Sequence, residues 1–393
     1  MEKKKIIEFY LNEKKEELFK ISSDIYHHPE MAFEEYYASE YLSNYLQKQG
    51  FEIKKPHGTL ETSFEATFKN GENGPTIAIL AEYDALSNGH ACGHNVIAAS
   101  GIGAGIGAKH AMEELNIFGT LKIIGTSAEE TGGGKIIILE NGGFDGVDAA
   151  LLLHPTTGKS KVAGRCKSSH SIEVTYTGQL SSAISRPERG VNATEATVLA
   201  YQYLANALRY LPNDVSIMPF IMTANENDGL LPVTSTLLVT ITAFEDSSME
   251  KAIQRVKEIL EGAALTTGNQ FEIRDIRGYQ GRVINETIGN LLRENMILFD
   301  EPIMDGMVDD SGFEDFGNVN RVIPGAMVYP TLLPSKKVSN HTDEFLELSN
   351  SPKSKEAILL GSKVMASTAI DLFLNPELLQ ASKKELEEKS NGK

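Results

Sequence analysis

The chain has 393 residues, 41% of them hydrophobic and 23% charged, with a formal net charge of −17. That length exceeds what one core usually carries, so two domains are expected. The acidic balance disfavours phosphate backbones and anionic lipid heads, so neither nucleic acid nor a membrane surface is an expected partner.

The first stretch, Lys4 to about Gln49, repeats apolar residues at helical spacing and is broken by His27-His28-Pro29-Glu30, because the residue before a proline avoids the helical region. Three apolar runs, 76–81, 120–125 and 148–153, read as buried strands, and the Gly/Ala-rich 96–115 between the first two reads as a helix packed close to a sheet. This alternation predicts an α/β fold with a mostly parallel, doubly wound sheet. Near Arg165 the character changes. The alternating runs 171–176 and 235–244 and the helical patterns 193–211 and 248–264 predict a small α+β layer, with helices on one face of an antiparallel sheet. This second domain is placed at 168–282, inserted into a first domain of 1–167 and 283–393. The chain returns with a helix at 285–298, a Gly- and Asp-rich loop at 305–317 and a helix at 351–372; the charged tail 382–393 is expected to fray. Two cysteines, Cys92 and Cys166, form no disulfide framework and suit a reducing compartment. The start, Met1-Glu2-Lys3-Lys4-Lys5, lacks the apolar run of a secretory signal. A cytoplasmic location is expected.

Four short motifs carry chemistry. Cys92 and His94 flank Gly93 in Gly89-His-Ala-Cys-Gly-His-Asn95, and can turn a thiolate and an imidazole toward one point, as zinc or manganese requires. Glu129 and Glu130 follow the second strand and precede Gly132-Gly133-Gly134. One of the two can hold a metal while the other acts as general base toward water. His154 ends the third strand, ahead of Pro155, and His341 lies in the polar loop Ser339–Phe345. Each signal alone has a bland alternative: a buried cysteine, a solvated acidic loop or a core histidine. Three of them together, at the carboxyl ends of sequential strands, mark the usual ligand site of an open α/β sheet.

The order Ala81-Glu-Tyr-Asp-Ala-Leu86, Gly89–Asn95, Ser127-Ala-Glu-Glu130, His154-Pro155 and His341-Thr342-x-x-Phe345 resembles the aminoacylase and amidohydrolase family of metallopeptidases. It is most similar to the branch of p-aminobenzoyl-glutamate hydrolase and β-alanyl-dipeptidase-like proteins. His28-Pro29-Glu30 and Asp315-x-Gly317-Asn318-Val319 extend the likeness over nearly the whole chain. The resemblance implies two divalent metal ions (Zn or Mn) held by Cys92, His94, Glu130, His154 and His341. It implies Glu129 as general base, Asp84 as the carboxylate orienting a ligand, and an inserted lid that forms a homodimer. The expected substrate is a small N-acyl amino acid or dipeptide. One departure stands out. Where the family's lid carries an oxyanion-stabilising histidine this chain has Ser182, and Gly229 replaces a second lid residue, usually Asn. Arg186, Arg189 and Asn318 are candidates for holding the substrate, beside Ser182. The altered lid leaves two alternatives to hydrolysis: an amide-forming or specialised-acyl homologue, and a catalytically impaired metal-binding one.

Overall fold

The computed structural model describes residues 2–223, 228–276 and 278–391. They form two compact units, 1–165 with 282–310 and 314–393, and 166–281 with 311–313.

The first unit begins with α1 (Glu2–Tyr26), α2 (Tyr36–Lys48), β1 (Glu52–Lys54), β2 (Phe64–Asn70), β3 (Thr76–Glu82), α3 (His94–Glu114) and β4 (Gly119–Thr126). It continues through α4 (Glu129–Gly132), α5 (Gly134–Glu140), β5 (Ala149–Leu153), β6 (Thr156–Thr157) and β7 (Ser160–Ala163). The second unit supplies β8 (Ser168–Thr177), α6 (Ala193–Ala207), β9 (Ser216–Thr223), β10 (Thr234–Ala243), α7 (Asp246–Thr267) and β11 (Gln270–Ile276). The first unit then closes with α8 (Glu286–Leu298), β12 (Ile303–Val308), α9 (Phe316–Asn320), β13 (Gly325–Tyr329), β14 (Thr331–Leu333), α10 (Asp343–Ser349), α11 (Pro352–Leu374) and α12 (Pro376–Asn391).

The large sheet has the order β1-β2-β4-β3-β5-β13-β7-β12. Its centre, β4-β3-β5-β13, is parallel, and β1-β2 adds an antiparallel edge. Both faces are covered, so the apolar runs are continuous rather than alternating. Ile77, Ile79, Leu121, Ile123, Leu151 and Leu153 face the core under the long helices. Ala78, Leu80, Ile124, Ala150 and Leu152 face a second core with Ile138 and Phe316. Helix α3 is held between sheet and helices by its glycines. A Cβ at Gly101 would stand 2.9 Å from Leu80 O and one at Gly105 2.5 Å from Ile123. On the other side, a Cβ at Gly103 would stand 2.2 Å from Ser362 Oγ, and one at Gly107 3.1 Å from Leu11. Helix α11 is long and apolar enough to cross a membrane, but 78% of its apolar window is buried inside the protein.

The second unit is a four-stranded antiparallel sheet, β11-β8-β10-β9. Ile172, Val174, Tyr176, Leu237, Val239 and Ile241 pack against Ala196, Ala200 and Leu204 of α6 and Val256 and Leu260 of α7.

Several expectations need correction. Residues 305–317 are not one loop: they include most of β12, which pairs with β7, and the start of α9. The tail does not fray through 391, because Leu379 and Leu386 are buried and the Glu385 carboxylate accepts the Glu286 and Thr287 N–H groups at the start of α8; residues 392–393 lie outside the described residues. Strands β2, β9, β11 and β13 escaped the periodicity. β9 carries Pro219 and β11 alternates charges, both features of sheet edges. Arg282, expected at the end of the insertion, belongs to the first unit: its guanidinium donates to Gly164 O, Glu314 and Tyr329 Oη.

Two glycine substitutions test this packing. Gly103→Val should destabilise by about 1–3 kcal/mol through overpacking. Gly262→Ala, inside α7 with nothing within 4 Å of the added methyl, should be neutral or stabilising by up to about 1 kcal/mol. Denaturant unfolding measures both; equal effects at the two positions would contradict the close approach of α3.

Candidate metal centre

Three neighbouring strands end at the site. β4, β3 and β5 lie side by side and parallel, with Glu82 in register with Thr126. Their carboxyl ends therefore deliver Asp84, Glu129 and His154 to one edge of the sheet. Cys92 and His94 arrive on the turn into α3, where Gly93 takes φ 82° and a Cβ would stand 2.6 Å from Pro155. Only glycine suits both the left-handed backbone and that approach. The glycines after Glu130 stand where backbone usually makes way for something. They make way for the chain itself: a Cβ at Gly134 would meet Ser127 O at 1.8 Å, and one at Gly132 would meet Phe33 at 2.5 Å.

Asp84 ties the loops together. One oxygen accepts the His94 Nδ1–H at 2.9 Å and the other accepts the Glu130 N–H at 2.9 Å. Because a carboxylate only accepts, His94 carries its proton on Nδ1 and turns Nε2 inward. His154 is set the same way, donating Nδ1–H to Pro155 O at 2.7 Å. Its Nε2 lies 3.2 Å from Cys92 Sγ, and His341 Nε2 lies 3.3 Å from the same sulfur. His341 is half-exposed, 3.5 Å from Glu130, and sits at φ 67° with its N–H on Ala91 O.

Donor atoms fall into overlapping groups: Cys92, His94 and His154; Cys92, Glu130 and His341; and His94, Glu129 and Glu130, each with its ligand atoms within 4.8 Å of one another. Cys92 belongs to two of them. His94 Nε2 and Glu130 Oε1 are buried without a hydrogen-bond partner among the described residues, which is costly unless a cation completes them. Thiolate, imidazole and carboxylate donors together suit zinc or manganese. The donor set thus fits a pair of divalent ions.

The electrostatics agree with a site in which buried carboxylates outnumber buried cations. Burial, then the neighbouring Glu82 and Glu130, push Glu129 well above the usual carboxylate range. Burial and Glu130 push the Cys92 thiol up. Burial lowers His154 to about 4, so its imidazole is neutral at pH 7. Burial works against charge on both Asp84 and His94. Even so, their contact holds the Asp84 carboxyl below its usual range and the His94 imidazole well above its own.

Residues not singled out by the motifs complete the surroundings. Glu35, fully buried, accepts the Ala128 N–H at 2.7 Å and so fixes the left-handed turn (φ 58°) that presents Glu129 and Glu130. Burial and then Asp84 raise Glu35 to about 7. Lys135, also fully buried, binds Glu82 at 2.7 Å and Asp315 at 2.6 Å. Two adjacent clues to this lay in the sequence: Glu82 two residues before Asp84, and Asp315 in the late motif.

The other expected residues are elsewhere. Asn318 is buried on α9, its N–H on Asp315 O. Ser182, Arg186 and Arg189 belong to the second unit. The Ser182 hydroxyl accepts the Ser185 N–H at 3.2 Å, and Arg186 and Arg189 are exposed, the former 3.8 Å from Glu188. His170 is held by Asp275 across β8 and β11 at 2.8 Å. His57 and His90, in the loops that follow β1 and β3, are buried.

A profile of peptidase family M20/M25/M40 matches residues 78–370. Among similar proteins, the Xaa-Arg dipeptidase of Mus musculus is 31% identical over 95% of this chain and 90% of its own length. A p-aminobenzoyl-glutamate hydrolase polypeptide of Escherichia coli (strain K12) is 25% identical over 93% and 91%. In fold, the chain is similar to a dinuclear metal-binding peptidase of the M20 family from Bacillus subtilis, with a TM-score of 0.71, 21% identity, and coverage of 92% and 99%. The chain belongs to peptidase family M20/M25/M40 and is a metal-dependent amide hydrolase.

Proposed function

We propose that this chain hydrolyses the amide bond of a dipeptide or N-acyl amino acid, with Cys92, His94, Glu130, His154 and His341 holding two divalent ions, zinc or manganese, and Glu129 as general base. The carrying observation is the overlap of the donor groups at Cys92, beside Glu129. Relatives named for Xaa-Arg dipeptides, p-aminobenzoyl-glutamate and N-acetyl-cysteine differ in side chain and share an acylated amino acid. When bound, the ions supply Lewis acidity toward the carbonyl and toward a water. Glu129, the carboxylate next to Glu130, takes the role of accepting a proton from that water and returning it to the leaving amine. Asp84 holds His94 in the tautomer a metal needs and is a positioning residue.

The second unit is proposed as lid and dimerisation domain. Its edge strand β9 exposes Met218, Phe220, Ile221 and Met222, an apolar edge suited to a second copy. Ser182 takes the lid position of the oxyanion donor, Arg186 and Arg189 are proposed as a clamp for the substrate carboxylate, and Asn318 as a further substrate-binding residue. Two buried cysteines that form no disulfide support a cytoplasmic location.

Assays across dipeptides and N-acyl amino acids, with metal analysis, test this reading. Glu129→Gln should retain two ions while turnover falls by about 10²–10⁴-fold; undiminished turnover would remove Glu129 from the base role. Arg186→Ala with Arg189→Ala should raise KM with little change in kcat, and an unchanged KM would discard the clamp. Phe220→Lys should shift sedimentation from dimer to monomer, whereas a wild-type monomer would refute the dimer.

A further inference from the structure

The mechanism above leaves a buried ion triad unused. Glu82, at the end of β3, is 2% exposed; one of its oxygens binds Lys135 Nζ at 2.7 Å. Its other oxygen, Oε2, lies 3.6 Å from His94 Nε2, the nitrogen that Asp84 has turned inward and that has no hydrogen-bond partner among the described residues. Glu129 and Glu130 approach the same nitrogen at 3.8 and 3.6 Å. Lys135 is itself fixed by Asp315, which accepts both its Nζ–H and its backbone N–H, at 2.6 and 2.9 Å. Glu82 therefore cannot swing away without leaving a buried ammonium half-paired, a costly change.

We propose that Glu82 is a further carboxylate of the metal centre, held by Lys135 and Asp315 so that its second oxygen faces the ion at His94. This rests on the two-metal reading above. Charge supports it. Five carboxylates, Glu82, Asp84, Glu129, Glu130 and Asp315, lie within 4 Å of a His94 ring nitrogen or of Lys135 Nζ. Lys135 offsets only part of this charge, and the excess is what divalent ions would balance. Lys135 is paired with both carboxylates, and Glu82, the one nearer the centre, directs its second oxygen at His94 Nε2.

The test is metal affinity rather than turnover. Zinc dissociation constants come from chelator competition on the full chain, and the absorption of the cobalt-loaded protein reports the ligand field. Glu82→Gln keeps the side chain's shape and an acceptor for Lys135. It should weaken one of the two ions by about 10–100-fold and shift the cobalt spectrum, with the metal-free protein still folded by circular dichroism. Glu82→Asp keeps the charge but withdraws the oxygen by one methylene; it should weaken the same ion, and serves if the Gln variant does not fold. Wild-type affinity for both ions with an unchanged spectrum, in either folded variant, would overturn the proposal. A wild-type chain that takes up no metal would instead overturn the two-metal reading, and this inference with it.

Discussion

The site is organised around one carboxylate. Asp84 accepts the imidazole N–H of His94 with one oxygen and the backbone N–H of Glu130 with the other, so two loops from adjacent strands are held to a single side chain. Charge-assisted bonds of this kind are shorter and stronger than neutral ones, and burial strengthens them further. If either bond were lost, a buried polar group would be left unpaired and the histidine would be free to turn its wrong nitrogen inward. The placement of His94 and Glu130 depends on this tie.

The surrounding scaffold makes the tie possible. β3 is central and parallel to both neighbours, so its carboxyl end opens between two other carboxyl ends, where an open sheet leaves a crevice. Strained or crowded backbone is found at the turns that leave this edge: Gly93, Ala128 and His341 all have positive φ. Each is pinned by neighbours, Gly93 by Pro155, Ala128 by Glu35 and His341 by the Ala91 carbonyl. Strain of this sort persists where the fold over-determines it, and it is commonly found at functional sites.

The fold also concentrates negative charge beyond what one buried ammonium can neutralise. In a low-dielectric interior that arrangement is unfavourable without cations, and it accounts for the raised pKa of Glu129 and the raised thiol of Cys92. Gly/Ala packing of α3 against the sheet and α11 gives the edge a rigid base.

Much of this was legible in the residues alone. Continuous apolar runs require strands covered on both faces, and the residues that follow such runs must lie at strand ends; that reasoning puts Cys92, His94, Glu129, Glu130 and His154 near one edge. The one-sided alternation of 171–176 and 235–244 marked a second, antiparallel layer for the same reason. What sequence spacing does not contain is the order of strands in space and the partners that folding brings together over long separations. His341 reaches Cys92 across 249 positions and Lys135 reaches Asp315 across 180. Glu35 and Glu82 read as ordinary acidic residues because burial, not residue type, makes their charge consequential. Edge strands such as β9 and β11 lack one-sided alternation: β9 is apolar on both faces around Pro219, and β11 interleaves charges. Local periodicity determined the elements and the chemistry available at their ends; only tertiary packing decided which of those groups share one low-dielectric site.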